Sequence, residues 1–373
     1  MRNKTGLYIH IPFCRSKCAY CDFLSASDYN ADITAQYVQA LLAELRHARL
    51  GDMQNQVVET IYIGGGTPTA LDASFLCKII KEARQFRITE DAEITVEVNP
   101  GGAEPYFSEL QKAGVNRLSI GLQAWQDGLL ARIGRTHTQR DFIETFQAAR
   151  AAGFDNINVD LMFALPGQTM EDWQESLAQV IALKPEHLSA YSLTPAENTP
   201  LWDALERGQI ILPDEETDRE MYYAANRILS AAGYTRYEIS NYAQPNRESR
   251  HNLNTWLRRL YRGFGLGAHS FEEKNNNGTR RHNTENMETY LSEPPLCMNV
   301  TNLTPEEALS ESIILGLRLT QGIEYTPAIR ARYAAQINKL IKNNLLAHIK
   351  TTNRLTLTPR GTDLANQVFT EFI

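Results

Sequence analysis

Six short runs rich in β-branched and aromatic residues recur through the first half of the chain, and a stretch of helical length separates each from the next. The runs are 6–11 (GLYIHI), 58–63 (VETIYI), 93–98 (EITVEV), 116–121 (NRLSIG), 156–163 (NINVDLMF) and 187–193 (HLSAYSL). Helix candidates lie near 31–49, 72–86, 103–113, 138–152 and 170–183. Strand and amphipathic helix in alternation is the pattern of βαβ units and of a mainly parallel sheet. No self-similarity of fixed period accompanies it, which points to a barrel or an open α/β sheet rather than a solenoid. A helical pair near 198–231 and a strand around Tyr234 to Ile239 are expected to close this unit.

At 373 residues the chain exceeds what one core usually fills, so more than one unit is expected. The reading places a core at 1–236, a connecting segment at 237–300 and a C-terminal domain at 301–373. In the connector, Asn241 to Asn254 is polar and reads as irregular. YRGFGLGAHSF reads as a return to the first unit, and EEKNNNGTRRHN as a turn between two strands. From Thr304 onward two helices, a hairpin (LLAHIKTTNRLTLT) and a final helix after Pro359 resemble a winged-helix-like module. A structural cap is expected of it rather than a DNA reader: 44 acidic against 37 basic residues give a net charge of -7, which disfavours nucleic acid. The N-terminus shows no signal-peptide pattern, and no run of 18 apolar residues occurs, so a cytoplasmic protein is expected.

Five cysteines, three of them within eight residues, suit a metal site in a reducing compartment better than a disulfide framework. The segment CRSKCAYC puts Cys14, Cys18 and Cys21 in a loop just past the first strand. Three thiolates leave one iron of a cubane open to an exchangeable ligand, whereas closed structural sites take four ligands. A zinc site completed by His10 is the competing reading. Cys77 and Cys297 read as small buried hydrophobes.

In a β/α barrel the working residues gather at the C-terminal ends of the strands. Strand one ends at the cysteine loop, and strand two runs into Gly64-Gly65-Gly66-Thr67-Pro68. Strand three ends at Glu97-Val98-Asn99-Pro100, strand four leads to Gln123, strand five carries Asp160 before Pro166-Gly167, and strand six ends near Tyr191. Polar groups therefore collect at one mouth.

CxxxCxxC with an aromatic before its last cysteine resembles the radical SAM superfamily. The resemblance implies an α/β fold, a partial (β/α)6 TIM-like barrel with a smaller C-terminal helical, winged-helix-like domain. It also implies a 4Fe-4S cluster on the three cysteines, with S-adenosylmethionine chelating the open iron. By that resemblance Tyr8, Gly65 and Glu97 contact this S-adenosylmethionine. Tyr20, Gly66, Thr67, Gln123, Arg135 and Asp160 match positions lining a second S-adenosylmethionine or the substrate side.

Across nearly the whole chain the similarity is greatest to the coproporphyrinogen dehydrogenase-like group, which contains an anaerobic oxidase and a haem chaperone. Phe23 stands where the oxidase has a fourth cysteine, and only thirteen residues precede Cys14 where the oxidase has a longer segment. His251-Asn252-Leu253-Asn254-Thr255-Trp256 is similar to the HNxxYW motif of the chaperone, with His251 the implied haem ligand and Thr255 replacing the tyrosine. Leu257-Arg258-Arg259-Leu260 replaces a glycine-containing stretch. Ala164 replaces a glycine after strand five, a change expected to affect only packing. By the resemblance His269 aligns with a position beside the nucleoside, where shaping the pocket and acting as a ligand are equally open, and His282 is expected to be solvent-exposed. The expected function is a haem chaperone that delivers haem to an acceptor protein such as a membrane haem enzyme. The alternative is oxidative decarboxylation of coproporphyrinogen III.

Overall fold

The computed structural model describes residues 4–102, 106–273, 277–292 and 298–373. Its centre is a parallel run of β1 (Lys4–Ile11), β2 (Val57–Gly65), β3 (Ile88–Val98), β4 (Arg117–Gln123), β5 (Ile157–Phe163) and β6 (His187–Ser192), hydrogen-bonded in that order. All six coincide with runs read from the sequence. Crossovers are made by α1 (Ala31–Leu50), α2 (Ala73–Ala83), α3 (Phe107–Ala113), α4 (Asp127–Arg132), α5 (Gln139–Ala151) and α6 (Met170–Leu183). Helix α4 was not expected, because six residues are too few to display a helical period. Both α5 and α6 open on a capping box, Thr138 with Asp141 and Thr169 with Asp172.

The two faces of these strands differ in chemistry. Along β4, Leu118, Ile120 and Leu122 belong to the large apolar core, as do Val159 and Leu161 on β5. The alternate residues Arg117, Ser119, Asn158 and Asp160 turn inward, where Asn158 donates to Ser119 and Asp160, and Ser119 donates to Asp160. A fully buried Leu or Ile contributes roughly 1.5–3 kcal/mol. Burial of the outer apolar layer therefore stabilises the barrel while its interior stays polar.

Beyond β6 the chain forms α7 (Pro200–Glu206), α8 (Glu215–Ala231), β7 (Thr235–Arg236), β8 (Asn241–Ala243) and α9 (Arg250–Trp256). Strand β8 pairs antiparallel with β6, and β7 with β8, so the strand expected near 234–239 is the two-residue β7. The stretch read as irregular, 241–254, carries β8 and α9 instead. Helix α9 starts on Ser249, whose Oγ accepts from Asn252 N at 3.3 Å, and the Glu93 carboxylate of β3 adds a distant acceptor for the backbone N–H of Arg250 and of His251, both at 3.0 Å.

The following segment returns to the barrel as expected. Strand β9 (Tyr261–Phe264) pairs parallel with β1, and β10 (His269–Glu272), β11 (Thr279–Asn283) and β12 (Met298–Asn302) extend the sheet antiparallel. The order is thus β12-β11-β10-β9-β1-β2-β3-β4-β5-β6-β8-β7, with β1 in the interior. Helix α10 (Met287–Ser292) packs on α1. The Glu44 carboxylate of α1 holds this extension, accepting from Gly265 N at 2.9 Å, Tyr290 Oη at 2.6 Å and Asn283 Nδ2 at 2.8 Å.

The C-terminal unit has its own apolar core. It comprises α11 (Pro305–Leu317), β13 (Ile323–Glu324), α12 (Pro327–Lys342), β14 (Leu346–Ile349), β15 (Arg354–Leu357), α13 (Pro359–Asp363) and α14 (Ala365–Thr370). The hairpin and the helices match expectation, and β13 joins as a third strand. Among the described residues no helix is long and apolar enough to cross a membrane.

Candidate functional site

Strand β1 delivers the chain into the cysteine loop, and backbone hydrogen bonds pin that loop. Cys14 N donates to Ala26 O at 2.9 Å, Thr67 N to Phe13 O at 2.7 Å, and Ala19 N to Ile133 O at 3.0 Å. Gly66 lets the second strand end pass close by: a Cβ there would lie 2.7 Å from Phe13 O and 3.0 Å from the Cys14 sulfur. Gly65 adopts φ 111°, which glycine tolerates without strain.

A cavity of about 340 Å3 opens at this end of the barrel. Cys14, Cys18 and Cys21 lie on its wall, as do Tyr20, Gly65, Gly66 and Thr67 from the first two strand ends. Glu97, Gln123, Arg135 and Asp160 complete the residues expected there from the sequence. Tyr8 and His251 do not line it. The Tyr8 hydroxyl lies 3.0 Å from His10 Nδ1.

The Glu97 carboxyl accepts from Tyr62 Oη at 2.7 Å and from Gly65 N at 3.0 Å. Burial, reinforced by the charge of Asp160, nevertheless pushes it up to about 7. Burial also holds the Cys21 thiol above its ordinary range, and the Cys18 and Cys14 thiols add to the effect, so the three lie within electrostatic reach of one another. Gln123 has φ 73° beside a register shift between β4 and β5, the kind of local strain that aims a side chain at a site.

Asn99 and Arg135 tie two cysteines together. Arg135 Nη1 donates to the Cys18 sulfur at 3.5 Å, and Nη2 to Asn99 Oδ1 at 2.8 Å and Gly121 O at 2.7 Å. Asn99 Nδ2 donates to Thr67 Oγ1 at 2.7 Å, and the Thr67 hydroxyl to the Cys14 sulfur at 3.6 Å.

His251 sits inside the barrel, away from the cavity wall. Its Nδ1 is 2.9 Å from Thr60 Oγ1, its ring stacks on Tyr62 with centroids 5.1 Å apart, and it is 8% exposed. His269 is exposed and stacks on half-buried His282, centroids 4.2 Å apart. Neither lines the cavity. Cys77 is half-buried against the main core, and Cys297 lies outside the described residues. Ala164 adopts φ 57°, a left-handed conformation that favours glycine, so its departure from the family pattern strains the backbone as well as altering packing.

A family model described as the Radical SAM superfamily matches residues 8–180, and one described as the HemN C-terminal domain matches residues 303–364. The Bacillus subtilis protein named Heme chaperone HemW is 36% identical over 98% of this chain and 98% of its own length. The chain belongs to the HemW family of the radical SAM superfamily. The Escherichia coli relative of the same name is 40% identical over 71% of this chain and 69% of its own. The solved structure of Escherichia coli coproporphyrinogen III oxidase HemN, described as a radical SAM enzyme, superposes with a TM-score of 0.84. It covers 100% of this chain and 90% of that one at 24% identity, a likeness of fold.

Membership of the superfamily implies a 4Fe-4S cluster and S-adenosylmethionine, and the residues of this HemW-family chain fit both. A cubane gives each thiolate its own iron, and the three cysteines line one cavity, an arrangement that suits it. Both ring nitrogens of His10 are engaged, Nδ1 with Tyr8 and Nε2 with Leu24 O at 2.8 Å, which argues against a zinc site completed by that ring. Sequence reasoning missed Tyr62 as a partner of Glu97. The period-two alternation of β2 was the available signal, since it turns Tyr62 inward with Thr60.

Proposed function

We propose that this protein is a haem chaperone that carries a 4Fe-4S cluster on Cys14, Cys18 and Cys21, binds S-adenosylmethionine in the adjoining cavity, and hands haem to an acceptor protein in the cytoplasm. The observation that carries the reading is the cavity itself, where three thiols share one wall with the buried Glu97 carboxyl, together with the names of the full-length relatives. A cluster with S-adenosylmethionine supplies one-electron reductive chemistry.

The chain's own residues have definite parts in this scheme. Glu97, held by Tyr62 and Gly65, offers its carboxylate to a cationic ligand group. Gly65 and Gly66 keep the second strand end clear of side chains beside Cys14. Thr67 and Arg135 direct donors at sulfur. His251 is the haem ligand that the motif nominates, yet its ring is enclosed, whereas the exposed imidazole of His269 is accessible to a macrocycle.

The test is an anaerobic haem titration of cluster-reconstituted protein, followed by absorption, on wild type, His251→Ala and His269→Ala. Saturable one-to-one binding by wild type supports the chaperone reading, and the variant that weakens it names the ligand. Wild type that binds no haem but forms protoporphyrinogen from coproporphyrinogen with S-adenosylmethionine overturns it in favour of the oxidase.

A further inference from the structure

His137 is 6% exposed and does not line the cavity that holds the three cysteines. Its Nε2 lies 3.2 Å from the Leu122 carbonyl, which can only accept, so the ring proton resides on Nε2. That leaves the Nδ1 lone pair to accept from Arg135 Nε at 3.3 Å. Burial and the adjacent Arg135 charge push the imidazole down to about 4, in keeping with this neutral tautomer.

The guanidinium fork is thereby fixed at its base as well as its tips. Nη2 is held by Asn99 and Gly121, and Nη1 is left to aim at the Cys18 sulfur. Through Asn99 and Thr67 the same network directs a second donor at Cys14. Donors and positive charge directed at cluster thiolates favour the more negative, reduced state and so raise the reduction potential.

We infer that His137 is a positioning residue that sets the potential of the cluster by holding Arg135 against Cys18. The inference rests on the proposed cluster at Cys14, Cys18 and Cys21.

The experiment is an anaerobic redox titration of the reconstituted full-length chain, monitored by electron paramagnetic resonance. It compares wild type with His137→Phe, His137→Gln, Arg135→Gln and the double variant Arg135→Gln with His137→Phe. The midpoint potential is expected to become more negative in His137→Phe and in Arg135→Gln. It should return toward wild type in His137→Gln, which again offers an acceptor to Arg135 and a donor to Leu122. The double variant should match Arg135→Gln alone, because His137 acts through the guanidinium.

A wild-type potential in His137→Phe overturns the inference, as does a shift in His137→Gln as large as in the phenylalanine variant. If His137→Phe does not hold a cluster, an unchanged potential in Arg135→Gln overturns it equally. Wild type that takes up no cluster instead removes the proposed function, and that outcome is visible before any variant is compared.

Discussion

The Tyr62 hydroxyl donates to Oε1 of Glu97 across 2.7 Å, linking the adjacent strands β2 and β3 at the cavity wall. Burial holds that carboxyl up to about 7, and the Tyr62 bond is the largest influence pulling it down. A cationic ligand group requires the ionised form. Affinity for S-adenosylmethionine should therefore fall as pH drops below about 7, approaching roughly tenfold per pH unit. In Tyr62→Phe the carboxyl rises further, so the fall begins at higher pH. Calorimetric titration of both proteins between about pH 6 and 8 separates Glu97 from the ligand's own ionisation; identical pH profiles would sink the assignment.

Replacing Cys14, Cys18 and Cys21 together by Ala should abolish the visible absorption of a 4Fe-4S cluster after anaerobic reconstitution, with bound iron falling from about four per chain to near zero. Gly66→Ala should lower cluster content as well, because its Cβ meets both Phe13 O and the Cys14 sulfur. Retention of the cluster spectrum in the triple variant would remove the ligand assignment.

His251 is buried and neutral, its ring pushed down to about 4 by burial and by the Arg117 charge. A depressed imidazole contributes stability that is present above the unfolded value near 6.5 and is lost as pH falls toward 4. Wild type should accordingly lose more stability than His251→Phe on acidification from pH 7 to 5, by up to about 1.4 kcal/mol per pH unit. His251→Ala, which also gives up stacking on Tyr62, should cost about 2–4 kcal/mol at pH 7.5. Urea denaturation across this range measures both quantities.

Three donors converge on the Glu44 carboxylate at 2% exposure. In Glu44→Gln an amide N–H2 meets one of those donors, and stability should drop by about 2 kcal/mol, read as a lower urea midpoint. An unchanged midpoint would show that the remaining contacts of α1 with the β9–β12 extension, among them Leu266 N donating to the Tyr37 hydroxyl, hold it without Glu44.

The parallel strands were legible because β-branched runs and capped helices advertise themselves locally. Thr138 and Thr169, each three residues before an acid, mark helix starts in the sequence as clearly as in the structure. Helix α9 was not legible: its Ser249 cap lies in a polar stretch that reads as loop, and Glu93, which takes its first two N–H groups, is distant in the chain and supplied by another strand. The cysteines, glycines and Glu97 stood out by residue type. Tyr62 and His137 did not, because an aromatic in a strand and a histidine in a loop read as ordinary until the polar barrel interior is known. The backbone cost at Ala164 was likewise hidden, since a positive φ cannot be read from alanine.

Strand β1, which leads into the cysteine loop, needs neighbours on both edges, and they are synthesised at very different times. Gly6 pairs with Thr60 on one side and with Tyr261 on the other. A nascent chain exposes its three cysteines early, yet it cannot complete the strand beneath them until most of the polypeptide has left the ribosome. Pairing at such separation is slow to form. The strand beneath the cysteines is thus completed late, and until it closes its thiols stay open to oxidants and to adventitious metals.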